Sequence, residues 1–166
     1  MVILITGGAR SGKSFYAEGR ALAMPGAPHY IATAEAGDAE MAARIAAHRA
    51  RRGPDWKVAE VPLDLPGALE ATDGAGARLV DCLTLWLSNL MLADMNVAEE
   101  TARLLAVARH QAAPVLFVSN EVGMGIVPDN ALARRFRDEA GRLNQGIAAL
   151  ADEVQFVVSG YPMRVK

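Results

Sequence analysis

The chain has 166 residues, of which 52% are hydrophobic and 5% aromatic, and its formal net charge is −2. That length fits one domain, residues 1–166, with a substantial buried core. The weak net charge and the scarcity of aromatic side chains argue against a nucleic-acid-binding protein and against a basic membrane-surface protein.

The first half of the chain alternates short apolar runs with helical patterns. Residues 2–5 form an uninterrupted apolar run, typical of a strand buried on both faces, and the run ends at Thr6-Gly7-Gly8. A helix is expected from residue 13 to about residue 24. We predict further strands at His29–Ala32, 56–61 and Arg78–Asp81, and further helices at 38–52, 62–72 and 83–93.

The second half continues the alternation without a composition break, an internal repeat or a low-complexity linker. We predict helices at 97–111 and 129–151, a strand at 114–119 and a last strand at 153–159. The long helix carries apolar side chains at helical spacing, namely Leu132, Phe136, Leu143, Ile147 and Leu150. Strands that alternate with helices throughout predict a three-layer α/β fold with a mostly parallel central sheet.

The first loop matches the phosphate-loop pattern G-x-x-x-x-G-K-[ST] completely. Its residues are Gly7, Gly8, Ala9, Arg10, Ser11, Gly12, Lys13 and Ser14. Glycines let backbone N–H groups approach a triphosphate, the lysine supplies a cation for the β- and γ-phosphates, and the serine hydroxyl suits Mg²⁺. The pattern follows a predicted strand and opens a predicted helix, so it predicts nucleotide binding. It does not distinguish kinases, GTPases and motors.

A second Mg²⁺-holding group is expected at the end of a neighbouring strand. Asp81 closes the strand "ARLVD" and is the best candidate, although an N-cap role for the following helix is the alternative. Glu121 also follows a strand and is the second candidate. Ligands gather at the carboxyl ends of strands in open α/β sheets, which favours both positions.

His48 lies on the predicted helix 38–52 and extends its apolar stripe. The pattern alone favours a packed or solvated histidine. The alternative is a nucleophile: nearby arginines would keep the imidazole neutral and would hold a phosphoryl group for in-line attack. Sequence spacing leaves the choice between these two roles open.

Several longer strings together resemble one family along essentially the whole chain. They are "TGGARSGKS", "YIAT", "DAEMAARIAAH", "VDCLTLWLSNLM", "SNEVGMGIVP", "RRFRDEAGRLNQ" and the terminal "VVSGYPMRVK". The family is the bifunctional adenosylcobinamide kinase / adenosylcobinamide-phosphate guanylyltransferase of cobalamin biosynthesis. The resemblance implies a RecA-like P-loop NTPase fold assembled as a homotrimer. It also implies phosphorylation of adenosylcobinamide by ATP or GTP, followed by transfer of GMP from GTP to the phosphate.

The resemblance also implies roles for particular residues. It makes His48 the residue that carries GMP as a covalent intermediate. From the phosphate-loop pattern we expect Lys13 to be a second catalytic residue, and Ser14 and Asp81 to hold Mg²⁺. The implied nucleotide contacts are Gly7 to Ser14, together with Ala32, Thr33, Ala34, Arg49, Ala50, Arg51, Arg52, Glu60 and Asp81. Tyr161 stands where the family more usually has a small aliphatic residue, and we expect this departure to affect packing near the C-terminus.

Two other functions fit the phosphate loop: a single-activity small-molecule kinase and a RecA-like, nucleotide-driven assembly protein. The weak charge and few aromatics count against polymer binding by the latter. The N-terminus lacks a signal-peptide pattern, and no apolar run approaches the length of a membrane span. A single cysteine, Cys82, argues against disulfides and a Cys-rich zinc site, so we expect a soluble, cytoplasmic protein.

Overall fold

One sheet of seven strands runs through the described part of the chain. The computed structural model describes residues 1–35, 39, 42, 43, 46 and 53–166. The strands are β1 (Val2–Gly7), β2 (His29–Ala32), β3 (Lys57–Glu60), β4 (Arg78–Asp81), β5 (Val115–Asn120), β6 (Glu153–Val158) and β7 (Tyr161–Arg164). Their order across the sheet is β3-β2-β4-β5-β1-β6-β7. All neighbouring pairs are parallel except β6 and β7, which are antiparallel.

Helices cover both faces of the sheet, as the alternating pattern predicts. The helices whose bounds the structure describes are α1 (Lys13–Leu22), α2 (Leu65–Ala71), α3 (Leu83–Leu92), α4 (Val97–Arg109) and α5 (Ala131–Leu150). Helix α1 packs on one face through Ala17 and Ala21, and the other four helices pack on the opposite face. The predicted α/β fold with a mostly parallel sheet is therefore confirmed.

Local sequence explains where several of these elements begin. Asn130 caps α5 by accepting a 2.7 Å hydrogen bond from the N–H of Ala133. Asp64 caps α2 in the same way through the N–H of Gly67. The apolar character of α3 reflects burial, since Trp86 and Leu87 are fully buried, although Leu92 at its end is exposed. None of the described helices has the length and apolar character required to cross a membrane.

The structure adds one strand that the sequence analysis missed. Strand β6 is not the last strand, because a two-residue turn at Ser159 and Gly160 reverses the chain into β7. Both turn residues have positive φ, 50° and 87°, as the tightest hairpin turns require. Pro162 is tolerated in β7 because β7 is an edge strand. The helix predicted at 38–52 lies outside the described residues, except for four alanines.

Paired charges tie the elements together where the strands begin. Arg78 opens β4, is fully buried and pairs with Asp73 at 3.0 Å. Its burial lowers the pKa of Arg78. Backbone N–H groups of Ala112 and Ala113 lower the pKa of Asp73. At the same edge Arg20 of α1 forms two hydrogen bonds with Glu153 of β6, which lower the pKa of Glu153 to about 2.

Candidate active site

The phosphate-loop pattern forms the connection between β1 and α1. Strand β1 ends at Gly7, and α1 begins at Lys13 with Gly12 as its N-cap residue. The first N–H groups of a helix have no partner within the helix, and the helix dipole places partial positive charge there. The loop therefore presents N–H donors and positive potential at the carboxyl end of a central strand, which suits a polyphosphate.

Two of the loop glycines are required by their neighbours as well as by the loop itself. A Cβ on Gly7 would collide with the backbone oxygen of Val157 and lie 2.8 Å from the Ser11 hydroxyl. Gly12 has φ of +92°, and a Cβ there would lie 3.1 Å from Cα of Gly160. The β6–β7 turn thus packs directly against the loop, and the N–H of Gly160 donates to the Ser11 carbonyl at 2.8 Å.

The lysine of the pattern lies along the loop. Lys13 is only 8% exposed, and its Nζ donates a 3.0 Å hydrogen bond to the carbonyl of Gly8. The ammonium group is thereby held at the loop, and the corresponding lysine of phosphate-loop proteins contacts the β- and γ-phosphates.

Asp81 comes to the loop from β4, as the sequence analysis predicts for a carboxylate at a strand end. The Ser14 hydroxyl donates to Oδ1 of Asp81 at 3.4 Å. The phenol of Tyr30, on neighbouring strand β2, donates to Oδ2 at 2.6 Å. The alternative N-cap role of Asp81 is wrong, because the N-cap residue of α3 is Cys82 and no side chain caps that helix.

The oxygen donors of Ser14 and Asp81 fit Mg²⁺. Mg²⁺ prefers hard oxygen ligands, keeps several waters, and is bound by one or two protein groups together with substrate phosphates. A serine hydroxyl and a carboxylate beside a phosphate-binding loop are such a set. The described residues contain no cluster of three or more His, Cys, Asp or Glu side chains, so they offer no protein-only metal cage.

Glu121 has a different environment from Asp81. Its N–H donates to the carbonyl of Gly7 at 3.0 Å, so the residue lies beside the phosphate loop. Its carboxylate, however, accepts a hydrogen bond from the N–H of Gly123 in the turn that follows β5. The structure therefore favours Asp81 over Glu121 as the carboxylate next to Ser14.

The segment after β2 supplies structural contacts at the same edge. Thr33 is fully buried, and its hydroxyl donates to the Cys82 carbonyl and accepts from the Cys82 N–H, both at 2.8 Å. Its carbonyl accepts a 2.7 Å hydrogen bond from Asn89. The Thr33 side chain thus joins the ends of β2 and β4, and the half-buried residues Ala32 and Ala34 flank it.

Glu60 closes β3 at the same edge of the sheet, but far from the loop. Three strands lie between β3 and β1, so strand spacing places Glu60 about 19 Å from Gly7. Glu60 therefore does not adjoin the phosphate loop. A nucleotide contact by Glu60 would involve the end of the nucleotide that lies far from its terminal phosphates.

The remaining predicted site residues lie outside the described residues. They are His48, Arg49, Ala50, Arg51 and Arg52. The sequence analysis also missed Tyr30, because its contact with Asp81 depends on the pairing of β2 with β4, which no local pattern encodes. Tyr161 is 77% exposed at the start of β7, and the expectation that its departure from the family affects packing near the C-terminus stays a prediction.

Comparison with known families identifies the chain. The sequence model of a family described as cobinamide kinase / cobinamide phosphate guanyltransferase matches residues 3–165. The chain belongs to this family. The resemblance noted from the sequence is therefore confirmed, and the family carries both a kinase and a guanyltransferase activity in its description.

Curated relatives agree over their full length. The chain is 49% identical to the bifunctional adenosylcobalamin biosynthesis protein CobP of Pseudomonas aeruginosa, covering 98% of this chain and 96% of that protein. It is 44% identical to the bifunctional adenosylcobalamin biosynthesis protein CobU of Salmonella typhimurium, with complete coverage of both. The CobU protein of Escherichia coli is 40% identical, again with complete coverage.

A solved structure supports the fold. The P4 protein from bacteriophage phi6 in complex with ADP matches with a TM-score of 0.52 at 16% identity. The match covers 97% of this chain and 52% of the P4 protein, so the chain spans about half its length. At this identity the likeness shows a shared fold alone.

Proposed function

We propose that one domain, residues 1–166, phosphorylates adenosylcobinamide with ATP or GTP and then transfers GMP from GTP to the adenosylcobinamide phosphate. The observation that carries the proposal is the grouping of Lys13, Ser14 and Asp81 around a phosphate loop, in a chain that matches the family along residues 3–165. The product would be adenosylcobinamide-GDP, with pyrophosphate released.

In the kinase step the protein positions the γ-phosphate and stabilises developing charge. The hydroxyl of the aminopropanol arm attacks the γ-phosphorus, the bond to the bridging oxygen breaks, and the nucleoside diphosphate leaves as the hydroxyl proton passes to solvent. Lys13 and the N–H groups at the start of α1 neutralise the phosphate oxygens. Ser14 and Asp81 would hold Mg²⁺, which would supply charge neutralisation to the phosphates when bound.

In the guanylyl step the attack is at the α-phosphorus. The imidazole of His48 forms a P–N bond as the bond to pyrophosphate breaks, and an oxygen of the corrinoid phosphate then displaces the imidazole. Residue 48 belongs to the connection between β2 and β3, which leaves the sheet at Thr33, next to the Asp81–Cys82 segment. Arg49, Arg51 and Arg52 follow His48 in the sequence and would supply cations for the phosphoryl group, and Glu60, Ala32 and Ala34 would complete the nucleotide contacts.

The loop after β5 is our candidate for the corrinoid side of the site. Its N–H at Glu121 bonds to Gly7, and beyond it Met124, Ile126 and Val127 are 79%, 97% and 62% exposed. Contiguous exposed apolar side chains mark binding surfaces. We also propose that the protein is cytoplasmic and that it forms a homotrimer. Light scattering of the purified protein would test the trimer.

Product analysis tests the function directly. The protein is incubated with adenosylcobinamide and ATP alone, and then with GTP. The corrinoids are separated and their masses are determined by mass spectrometry. We expect the phosphate ester with ATP, and adenosylcobinamide-GDP plus pyrophosphate with GTP. His48→Ala should retain the first product and lose the second. A wild-type enzyme that makes only the phosphate ester would instead be a single-activity kinase, and one that makes neither product would contradict the proposal.

A further inference from the structure

The two oxygens of the Asp81 carboxylate contact different groups. Oδ1 accepts the hydroxyl of Ser14 from the phosphate loop, and Oδ2 accepts the phenol of Tyr30 at 2.6 Å. The Tyr30 bond is the shorter of the two and matches the length of a charge-assisted O–H···O⁻ hydrogen bond. Such a bond on one oxygen fixes the plane of the carboxylate, and with it the direction in which the other oxygen points.

Tyr30 is itself held rigidly. The side chain is 3% exposed, and its ring meets the ring of Trp56 edge-to-face, with centroids 5.7 Å apart and planes at 84°. Strands β2 and β4 are paired so that Ala32 lies opposite Asp81 and Tyr30 lies opposite Leu79. Residues 30 and 32 share a face of β2, so the ring of Tyr30 extends along that face towards the strand end.

We propose that Tyr30 is a positioning residue that orients Asp81 for Mg²⁺–nucleotide binding. The inference rests on the proposed nucleotide site and goes beyond it, because neither the phosphate-loop pattern nor the family resemblance assigned a role to Tyr30. Its hydroxyl holds Oδ2, so that Oδ1 stays turned towards Ser14 and the loop. Without the hydroxyl, the carboxylate can rotate away from the position in which it would hold water on the metal.

The variant Tyr30→Phe removes the hydroxyl and keeps the ring that packs on Trp56. The chain offers a matched control: the Tyr16 hydroxyl accepts a 2.9 Å hydrogen bond from Arg20, whose guanidinium also bonds to Glu153 where β6 begins. Tyr16→Phe therefore removes the same atom and one hydrogen bond outside the proposed site. Thermal unfolding of both variants measures the purely structural part of each change.

The main measurement is binding of a fluorescent GTP analogue over a Mg²⁺ titration and in EDTA. For Tyr30→Phe we expect the half-saturating Mg²⁺ concentration to rise about 10-fold, a typical effect of removing an outer partner of a metal site. Binding in EDTA should stay within about twofold of wild type, because the hydroxyl acts through the metal-holding carboxylate. Tyr16→Phe should match wild type in both conditions. In the Asp81→Asn background the Tyr30→Phe effect should disappear, since coupled residues are non-additive.

A second measurement needs no substitution at Tyr30. The chain has three tyrosines, so fluorotyrosine labelling gives three fluorine NMR signals, and those of Tyr16 and Tyr161 are assigned by single Phe variants. Adding Mg²⁺ to the nucleotide-bound protein should shift the Tyr30 signal and leave the Tyr16 signal in place.

The outcomes separate this inference from the proposed function. A Mg²⁺ dependence of Tyr30→Phe within about twofold of wild type would overturn the inference, as would an equal loss in EDTA and in Mg²⁺, or an unmoved Tyr30 signal. In each case wild-type binding of the Mg²⁺–nucleotide would still stand. Failure of the wild-type protein to bind nucleotide in either condition would instead contradict the proposed function itself.

Discussion

The parallel strands begin along one edge of the sheet and end along the opposite edge, and these two edges use charge in opposite ways. Where β4 and β6 begin, the charges of Arg78 and Glu153 are paired with partners on other elements and serve to join those elements. Where β1 and β4 end, Lys13, Ser14 and Asp81 are gathered around a loop built to receive an anion. Substitutions at the first edge should therefore change stability, and substitutions at the second edge should change activity.

The largest effect should come from Lys13→Ala. Loss of the ammonium group removes charge stabilisation at the phosphates, so we expect both activities to fall about 1000-fold. The free energy of unfolding should change by less than about 1 kcal/mol. Steady-state kinetics and urea unfolding check the two halves. Lys57→Ala, at the exposed start of β3, is the matched control and should change neither.

Asp73→Asn tests the opposite edge. It leaves the fully buried Arg78 without its counter-charge, so the free energy of unfolding should fall by about 3 kcal/mol. Turnover per folded molecule should stay at the wild-type value. Asp138→Asn is the control, because that carboxylate is 52% exposed and, among the described residues, pairs with its neighbour Arg137 alone. Equal losses of unfolding free energy in the two variants would show that the pair with buried Arg78 stabilises the fold no more than the exposed pair does.

The Arg20–Glu153 pair predicts a pH dependence of stability. The pKa of Glu153 is lowered from 4.5 to about 2, so its contribution is complete above the ordinary value and is lost as the pH falls towards 2. Glu153→Gln should lower the unfolding free energy by roughly 1–2 kcal/mol at neutral pH, discounted for partial exposure. The difference from wild type should shrink steadily in unfolding curves recorded at decreasing pH. A constant difference would exclude the pair as its origin.

The smallest effect should come from a substitution of Thr33, a residue that we expect to affect both stability and activity. Thr33→Val leaves the N–H of Cys82 without its partner at the functional edge, so stability should fall by about 1 kcal/mol. Turnover should also fall several-fold, because Cys82 follows Asp81 directly. Thr72→Val removes a comparable hydroxyl bond at the end of α2 and should leave turnover unchanged. Unchanged turnover in Thr33→Val would sharpen the separation between the edges.

Local sequence predicted the parts of the site whose determinants lie within one stretch. The phosphate loop needs only consecutive glycines, Lys13 and Ser14 between a strand and a helix, and Asp81 needs only a strand end. The contact of Tyr30 with Asp81 spans 51 positions and depends on which strands are neighbours. The separation of Glu60 from the loop depends on strand order in the same way. Residues that act through sheet pairing were therefore outside the reach of sequence patterns.

The fold was predicted for a related reason. Continuous apolar runs in β1 and β5 specify buried parallel strands regardless of their order. Strand β7 was missed because its side chains are exposed, and its Ser-Gly turn was the one local signal for it.

Covalent labelling with α-labelled GTP tests guanylyl transfer through His48 most directly. In wild type we expect a protein adduct that is labile in acid and stable in alkali, as a phosphoramidate is. In Asp73→Asn the amount of adduct should be proportional to the amount of folded protein. His48→Ala should carry no label. Persistence of the label in His48→Ala, or its absence from wild-type protein that binds GTP, would contradict the claim that this edge of the sheet performs guanylyl transfer through a histidine.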